Sequence, residues 1–193
     1  QRNQGILEAF AKNNIKAALF VCGMRIDSEE GKRALLEWDK QGHIIAHHSY
    51  SHLNLNQYSM TVDQFRDDFN RAEKIISNYK HFKKIFRFPY LKEGETKNKR
   101  DAVREFLKSK SYTHGYVTID ASDWFIEMKL KEALKKNPKA DLTPYRDFYL
   151  NHIWERAQFY HELSLKVFNR EIKHTLLLHH NLLNSLFLND LMS

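Results

Sequence analysis

Two histidines four positions apart, His48 and His52, are the residues of this sequence best suited to bind a metal ion. They follow the apolar run 43–47, which predicts a buried strand. If the chain turns helically after that strand, both imidazoles come onto one face, and neutral imidazole is a favoured ligand for zinc. A histidine-rich surface turn is the simpler alternative, because the chain contains 11 histidines. The spacing alone leaves both interpretations open.

Further polar clusters also come directly after apolar runs that predict strands. The C-terminal ends of parallel strands meet at one mouth of a barrel, where active sites form. We therefore expect these clusters and the histidine pair to contribute to one site. The clusters are Arg87 and Tyr90 after residues 85–86, Asp120 and Asp123 after residues 115–119, and His179 after residues 174–178.

A catalytic metal site needs more protein ligands than two histidines. A catalytic zinc usually keeps three protein ligands and an open position for water, which it converts into a nucleophile near neutral pH. Asp120 or Asp123 could supply the third ligand, and a residue preceding Gln1 is an equal alternative. His179 could protonate a leaving amine as a general acid, whereas a core histidine bonded to backbone is the simpler interpretation.

The remaining cluster residues could position a substrate or a catalytic group. Pro89 fixes the backbone beside Arg87 and Tyr90, so an arginine there could orient a carboxylate bidentately or form a surface ion pair. Asp123 could hold an imidazole in place or begin the next helix. Trp124 is either a core residue or a wall of a substrate pocket.

The elements that must position these residues alternate along the chain. Alternating strands and helices predict a parallel α/β sheet or barrel, and the chain contains no repeat or linker that indicates a second domain. Helices are predicted over 4–13, 28–40, 61–79, 98–110 and 182–192, with two more inside 125–169. Strands are predicted over 16–22, 43–47, 85–86, 115–119 and 174–178.

Several residues predict where helices begin, end and bury their apolar side. Ser28 is a typical N-cap, Thr61 with Gln64 forms a capping-box pattern, and Gly42 stands where a helix commonly ends. The helical stretch after Pro144 carries apolar residues that we expect in the core rather than in a partner groove. These residues are Phe148, Ile153, Trp154, Ala157, Phe159, Leu163 and Val167.

The composition is that of an ordinary globular domain, with 42% hydrophobic and 28% charged residues. The net charge of +7 could favour nucleic acid, an acidic polymer or a membrane surface. We favour a solvated basic face, because the lysines are scattered, with the densest run over 129–139, and do not alternate with aromatic residues. The lone Cys22 excludes an intrachain disulfide and is expected in the core. No apolar run reaches the roughly 20 residues of a membrane-spanning helix.

Four segments resemble signature motifs of the polysaccharide deacetylases, the NodB-type enzymes of carbohydrate esterase family 4. They occur in the family's order and span most of the chain: HSYSH at 48–52, RFPY at 87–90, DASDW at 120–124 and LLH at 177–179. The resemblance implies a distorted (β/α) barrel with a metal at its mouth. It also implies removal of N-acetyl groups from N-acetylglucosamine polymers such as peptidoglycan or chitin, in the cell envelope, periplasm or extracellular space.

The resemblance further assigns the metal ligands and the general acid. It makes His48 and His52 ligands of zinc or another divalent metal, and it makes His179 the general acid, tuned by Asp123. His47 stands where the family often has asparagine, so it competes with His48 as a ligand. Only His48 has the four-residue spacing to His52.

The other roles implied by the resemblance concern the substrate. Arg87 would orient the catalytic base, and the backbone N–H of Tyr90 would bind the oxyanion. Trp124 and Leu177 would line the acetyl pocket. Leu91 is a departure, because glycine is frequent in the family at that position.

A larger departure is that the family's first motif, an Asp-Asp strand end that supplies the base and the third metal ligand, does not precede the helix at 4–13. We expect that residues 1–193 are a single NodB homology domain, incomplete at its N-terminus. The alternative is a catalytically inactive carbohydrate-binding relative. A basic nucleic-acid-binding protein is a third hypothesis, and we do not expect nucleic acid as a partner.

Overall fold

The computed structural model describes residues 2–193, in which helices alternate with short parallel strands. The helices are α1 (Arg2–Lys12), α2 (Gly23–Ile26), α3 (Glu29–Lys40), α4 (Val62–Ile76), α5 (Lys97–Ser109), α6 (Asp123–Lys136), α7 (Thr143–Phe168) and α8 (Leu182–Met192), with a 3₁₀ turn over Pro89–Leu91. The strands are β1 (Ala18–Val21), β2 (Ile44–His47), β3 (Phe82–Phe86), β4 (Thr113–His114), β5 (Ile119–Asp120) and β6 (Leu176–Leu177).

The chain divides into two compact units. We call Lys16–Gly115 the central unit, and residues 2–15 with 116–193 the terminal unit. The central unit contains the parallel sheet β1-β2-β3-β4, and the terminal unit contains the parallel pair β5-β6. Among the helices of residues 2–193, none has the length and apolar character needed to cross a membrane.

The register of the central sheet aligns the ends of its strands. Val21 pairs with His47, His47 with Phe86, and Phe86 with His114. Because these strands are parallel, the residues that follow them leave the sheet at the same edge. This alignment brings the segment after β2 beside the segment after β3.

The predicted helix signals of the central unit are confirmed. The Ser28 hydroxyl accepts from the backbone N–H of Gly31, and Thr61 and Gln64 form a reciprocal capping box. Gly42 has φ = 78°, a left-handed conformation that glycine adopts without steric cost. Phe65 and Phe69 lie fully buried on α4. They pack against apolar side chains that include Phe86, Phe88, Val103 and Leu107.

The terminal unit packs α6, α7 and α8 around a second core. Its buried residues include Ile126, Leu130, Tyr149, Ile153 and Leu183. Helix α1 lies against α8, where a side chain at Gly5 would meet the Ser185 carbonyl oxygen at 2.6 Å. Glycine therefore permits this close helix contact.

Two sequence predictions about the elements are wrong. The run 115–119 is not one strand, because residues 113–114 pair with β3 whereas residues 119–120 pair with β6. The apolar residues of α7 do not form a core stripe, because they are distributed around the helix and only one side can be buried. Of the residues expected in the core, Ile153 is buried, whereas Phe148, Trp154, Phe159, Leu163 and Val167 are exposed.

Candidate functional site

The rings of His48 and His52 lie side by side at the edge of the central sheet. Their centroids are 4.9 Å apart and their planes are nearly perpendicular. The Nδ1 atom of His48 lies 2.7 Å from the carbonyl oxygen of Arg87. A carbonyl oxygen only accepts, so Nδ1 donates and the neutral ring carries its lone pair on Nε2. This hydrogen bond gives His48 the tautomer that a metal ligand requires.

The geometry of the two rings fits a shared metal ion. Two imidazoles bound to one zinc at about 2.05 Å, at a roughly tetrahedral angle, would have centroids about 5 Å apart. The observed separation is 4.9 Å. Within residues 2–193, no group of three or more His, Cys, Asp or Glu side chains is arranged to hold a metal. The described residues therefore contain a candidate pair of ligands rather than a full set.

The loop that presents the pair is not helical, so the expected helical turn is wrong. Ser49 and His52 have left-handed backbones, with φ = 63° and φ = 60°. Side chains rather than helical carbonyls accept from the loop: Ser49 N donates to His47 Nδ1 and His52 N donates to Ser49 Oγ, each at 3.0 Å. The two imidazoles thus become neighbours through a tight irregular turn.

The competing histidine, His47, is fully buried. Its Nε2 donates to the Phe69 carbonyl at 3.0 Å, and its Nδ1 accepts from Ser49 N. Its ring stacks on Phe69 at 4.0 Å. Burial lowers the pKa of His47 to about 4. Both ring nitrogens are therefore engaged within the protein, which removes His47 as an alternative ligand to His48.

Arg87 is buried, so the alternative of a surface ion pair is wrong. Its Nε donates to the Gly115 carbonyl at 2.9 Å, and its guanidinium carbon lies 3.8 Å from the centroid of the Phe20 ring. Burial lowers the pKa of Arg87 to about 10, which still leaves it charged at neutral pH. No carboxylate within residues 2–193 forms an ion pair with it. The site thus contains a buried positive charge that could orient an anionic group.

Tyr90 lies in the turn after β3, with φ = 57°, and its ring is 4.7 Å from that of His52. The two hydrogen bonds of this turn run from Leu91 N to the Phe88 carbonyl and from Lys92 N to the Pro89 carbonyl. Neither uses the backbone N–H of Tyr90. Leu91 also has φ = 57°, a left-handed conformation that glycine adopts without steric cost.

In the terminal unit, His179 and Asp123 form a close ion pair. The Nδ1 of His179 lies 2.6 Å from Asp123 Oδ1. The hydrogen bond that His179 donates to Asp123 raises the pKa of His179, and this outweighs the opposing effect of burial. For Asp123, burial acts to raise the pKa, but the hydrogen bond and charge of His179 lower it overall. The imidazolium form of His179 is therefore favoured beside a carboxylate.

Three more hydrogen bonds fix the Asp123 carboxylate. Its Oδ2 accepts from the backbone N–H of His179, from Asn181 Nδ2 and from Asn184 Nδ2, at 2.9, 3.0 and 2.7 Å. With both oxygens engaged, Asp123 is suited to orienting His179 and is poorly suited to binding a metal. Asn184 in turn accepts from the buried Tyr149 hydroxyl at 2.6 Å.

Asn181 and Asn184 also belong to this group around Asp123, although they were not among the candidate residues predicted from the sequence. Both are buried at the start of α8. A signal was present, since asparagine inside an otherwise apolar helix, directly after a candidate acid, indicates a buried polar network. Asp68 on α4 is a further residue that was not predicted from the sequence, and it accepts hydrogen bonds from Tyr50 and Ser51 in the loop between the two histidines.

The remaining candidate residues lie near β5 and β6. Trp124 is 52% exposed, so the core alternative for it is wrong. Leu177 is partly buried and pairs with Asp120 across the two strands. Asp120 Oδ1 accepts from the backbone N–H of Ser122 at 3.1 Å, an arrangement that shapes the turn into α6. Cys22, expected in the core, is only partly buried, and its thiol donates to the Tyr50 carbonyl.

The structure thus assembles the candidate residues in two groups, each within its own unit. The central unit holds His48, His52, Arg87 and Tyr90, and the terminal unit holds Asp123, Trp124, Leu177 and His179. The first group contains a buried cation and two adjacent imidazoles that could bind a metal. The second offers an acid whose tautomer and charge are set by a carboxylate.

Comparison with known sequences finds a family whose sequence model matches more than half of this chain. The sequence model of the polysaccharide deacetylases matches residues 1–117. A peptidoglycan-N-acetylglucosamine deacetylase from Bacillus cereus is 29% identical over 86 residues, which cover 44% of this chain and 30% of that protein. The aligned segment thus spans less than a third of the length of this relative.

Comparison with solved structures confirms the predicted fold class, an α/β fold of the distorted (β/α) barrel type. A family 4 carbohydrate esterase from Streptomyces lividans has a TM-score of 0.67 at 16% identity, and the match covers 99% of this chain and 79% of the other. A family 4 pseudoenzyme from Bacillus anthracis has a TM-score of 0.65 at 16% identity, covering 99% and 54%. At such low identity these similarities show the fold alone.

Proposed function

This chain belongs to the polysaccharide deacetylase family, and from that premise we propose that it hydrolyses N-acetyl groups of N-acetylglucosamine-containing polysaccharide. The curated relative, a peptidoglycan-N-acetylglucosamine deacetylase, makes a cell-wall glycan the substrate class that we favour. We further propose that residues 1–193 act as one catalytic domain and use a divalent metal, preferably zinc.

The observation that carries this proposal is the pairing of His48 and His52, whose rings are 4.9 Å apart. The Arg87 carbonyl fixes the Nδ1–H tautomer of His48, as acceptors hydrogen-bonded to the other ring nitrogen do for zinc-bound histidines. These two residues would hold the metal. When bound, the metal would polarise the acetyl oxygen and acidify a water molecule.

His179 is proposed as the general acid. Hydrolysis adds water to the acetyl carbon and breaks its bond to nitrogen, so the departing amine needs a proton. The Asp123 carboxylate stabilises the imidazolium, whose Nδ1–H it accepts at 2.6 Å. The proton on Nε2 is then the one available for transfer to the amine.

The other residues are proposed to bind and orient. The backbone N–H of Tyr90 would donate to the developing oxyanion, a type of contact that typically contributes about 10²–10³-fold in rate. Trp124 and Leu177 would line the pocket for the acetyl methyl group. Arg87 would orient the carboxylate that acts as the base.

The catalytic base and a third metal ligand are still required. The resemblance to the family assigns both roles to carboxylates of its first motif, and we propose that the full-length protein uses such carboxylates. The buried charge of Arg87 supports this view, because no carboxylate within residues 2–193 pairs with it.

A catalytically inactive carbohydrate-binding relative is the second candidate. The observation in its favour is the structural similarity to a family 4 pseudoenzyme. Acetate release by full-length protein from a panel of N-acetylated glycans, with and without a chelator, separates the two candidates. Chelator-sensitive release supports the deacetylase, whereas glycan binding without release by zinc-loaded protein supports the inactive relative.

A further inference from the structure

The carboxylate of Asp68 lies against the middle of the histidine loop, residues 48–52. It accepts from the backbone N–H of Tyr50 at 2.7 Å and from the backbone N–H of Ser51 at 3.1 Å. It also accepts from the Ser51 hydroxyl at 2.6 Å. One side chain thus receives two successive backbone N–H groups and a hydroxyl.

These contacts determine the backbone of the loop. Ser49 and His52 both have positive φ, a conformation that non-glycine residues adopt only when their surroundings enforce it. The segment between them has no helical or strand hydrogen bonds for its N–H groups. Charge-assisted hydrogen bonds to a carboxylate are roughly twice as strong as neutral ones, so Asp68 stabilises this turn more than any other acceptor in it.

Asp68 can act as a fixed support because α4 is itself well held. Phe65 and Phe69 on either side of it are fully buried. The Phe69 carbonyl accepts from His47 Nε2, the residue that ends β2. The same turn of α4 therefore holds the chain both before and after His48.

We propose that Asp68 is a positioning residue for the metal site and that its carboxylate sets the relative placement of the His48 and His52 imidazoles. This inference rests on the proposed function, since it concerns the metal that those histidines would hold. Asp68 does not act as a ligand itself, because both of its oxygens accept hydrogen bonds from the loop.

The test uses full-length protein with Asp68→Asn, and Asp67→Asn as the matched control. Asp67 is the adjacent residue on α4 and is exposed. Zinc affinity is measured by chelator competition, amide hydrogen exchange of residues 49–52 is measured on metal-free protein, and thermal unfolding is recorded for each variant. We expect Asp68→Asn to bind zinc about 10–100-fold more weakly and to exchange the Tyr50 and Ser51 amides faster. Asp67→Asn should match the wild type.

Wild-type zinc affinity in folded Asp68→Asn would overturn the inference. If that variant does not fold, Ser51→Ala removes only the hydroxyl contact and should weaken zinc binding in the same direction by a smaller factor; unchanged affinity would again count against the inference. Zinc binding by His48→Ala distinguishes failure of this inference from failure of the proposed metal site. If wild type binds no zinc, or His48→Ala binds as well as wild type, the proposed metal site itself fails.

Discussion

The imidazole of His179 donates from Nδ1 to Asp123 Oδ1 across 2.6 Å, and the backbone N–H of His179 donates to Oδ2 of the same carboxylate at 2.9 Å. One aspartate thus orients both the ring and the main chain of the proposed acid. Because Oδ2 also accepts hydrogen bonds from two asparagine side chains, the carboxylate cannot rotate without losing several hydrogen bonds.

Asp123→Asn should reduce turnover by about 10²–10⁴-fold, the usual contribution of a general acid. Three donors face Oδ2, so the new amide oxygen must take that position and its NH₂ must face His179 Nδ1. The ring is then held as the neutral Nε2–H tautomer and has lost its negative partner. As the pH rises, the remaining activity should be lost at a lower pH than in wild type, because losing Asp123 lowers the pKa of His179. A pH profile of kcat/KM whose basic limb does not move would contradict this.

The same pair predicts how stability depends on pH. The pKa of His179 is raised on folding, so its contribution is complete below its unfolded pKa of about 6.5 and is lost as the pH rises through its folded pKa. His179→Gln should therefore lower the melting temperature more at pH 5.5 than at pH 9. Thermal unfolding of both proteins across this range measures the difference. An effect that is equal at both pH values would argue against a charged pair.

Asn184→Ala should lower the free energy of unfolding by about 1–3 kcal/mol, because it leaves the buried Tyr149 hydroxyl without its acceptor. It also removes the donor to Asp123 Oδ2. Urea denaturation of Asn184→Ala, Tyr149→Phe and the double variant forms a cycle. We expect the second substitution to lower the free energy of unfolding by less when the first is present. Strictly additive effects would show that the two side chains are not coupled.

His48→Ala or His52→Ala in the full-length protein should abolish zinc retention. Each substitution removes one of two imidazoles whose rings lie 4.9 Å apart, and one imidazole with the proposed carboxylate is fewer than the three protein ligands that a catalytic zinc usually keeps. Metal content after dialysis measures the loss, and His47 provides no substitute ligand because its ring nitrogens are engaged in the core. Stoichiometric zinc in the His48→Ala/His52→Ala double variant would refute the ligand assignment.

Much of the fold follows from local sequence signals. The capping box at Thr61 and the glycine at Gly42 depend only on neighbouring residues, and the structure contains both. The α7 prediction failed because apolar spacing does not reveal which side of a helix is covered, and Trp154 is 65% exposed. Long apolar helices therefore need a tertiary partner before burial can be assigned.

The sequence indicated the candidate histidines of the site but not all of the residues that hold them in place. The histidine spacing identified a pair whose rings are adjacent, although the turn between them is left-handed rather than helical. Asp68 was not predicted, because it contacts residues that are distant in sequence and such contacts leave no local pattern. Asn184 left a signal as an asparagine in an apolar helix, but that signal does not reveal its contact with Asp123, 61 positions away. The expected convergence of all four motifs at one site stays a prediction.

The role of His179 offers the most direct test of the proposed reaction. Zinc content and acetate release are measured together on full-length wild type and His179→Ala with an N-acetylglucosamine oligomer. The proposal predicts that His179→Ala retains zinc while acetate release falls by about 10²–10⁴-fold. Near-normal acetate release by zinc-loaded His179→Ala would contradict it.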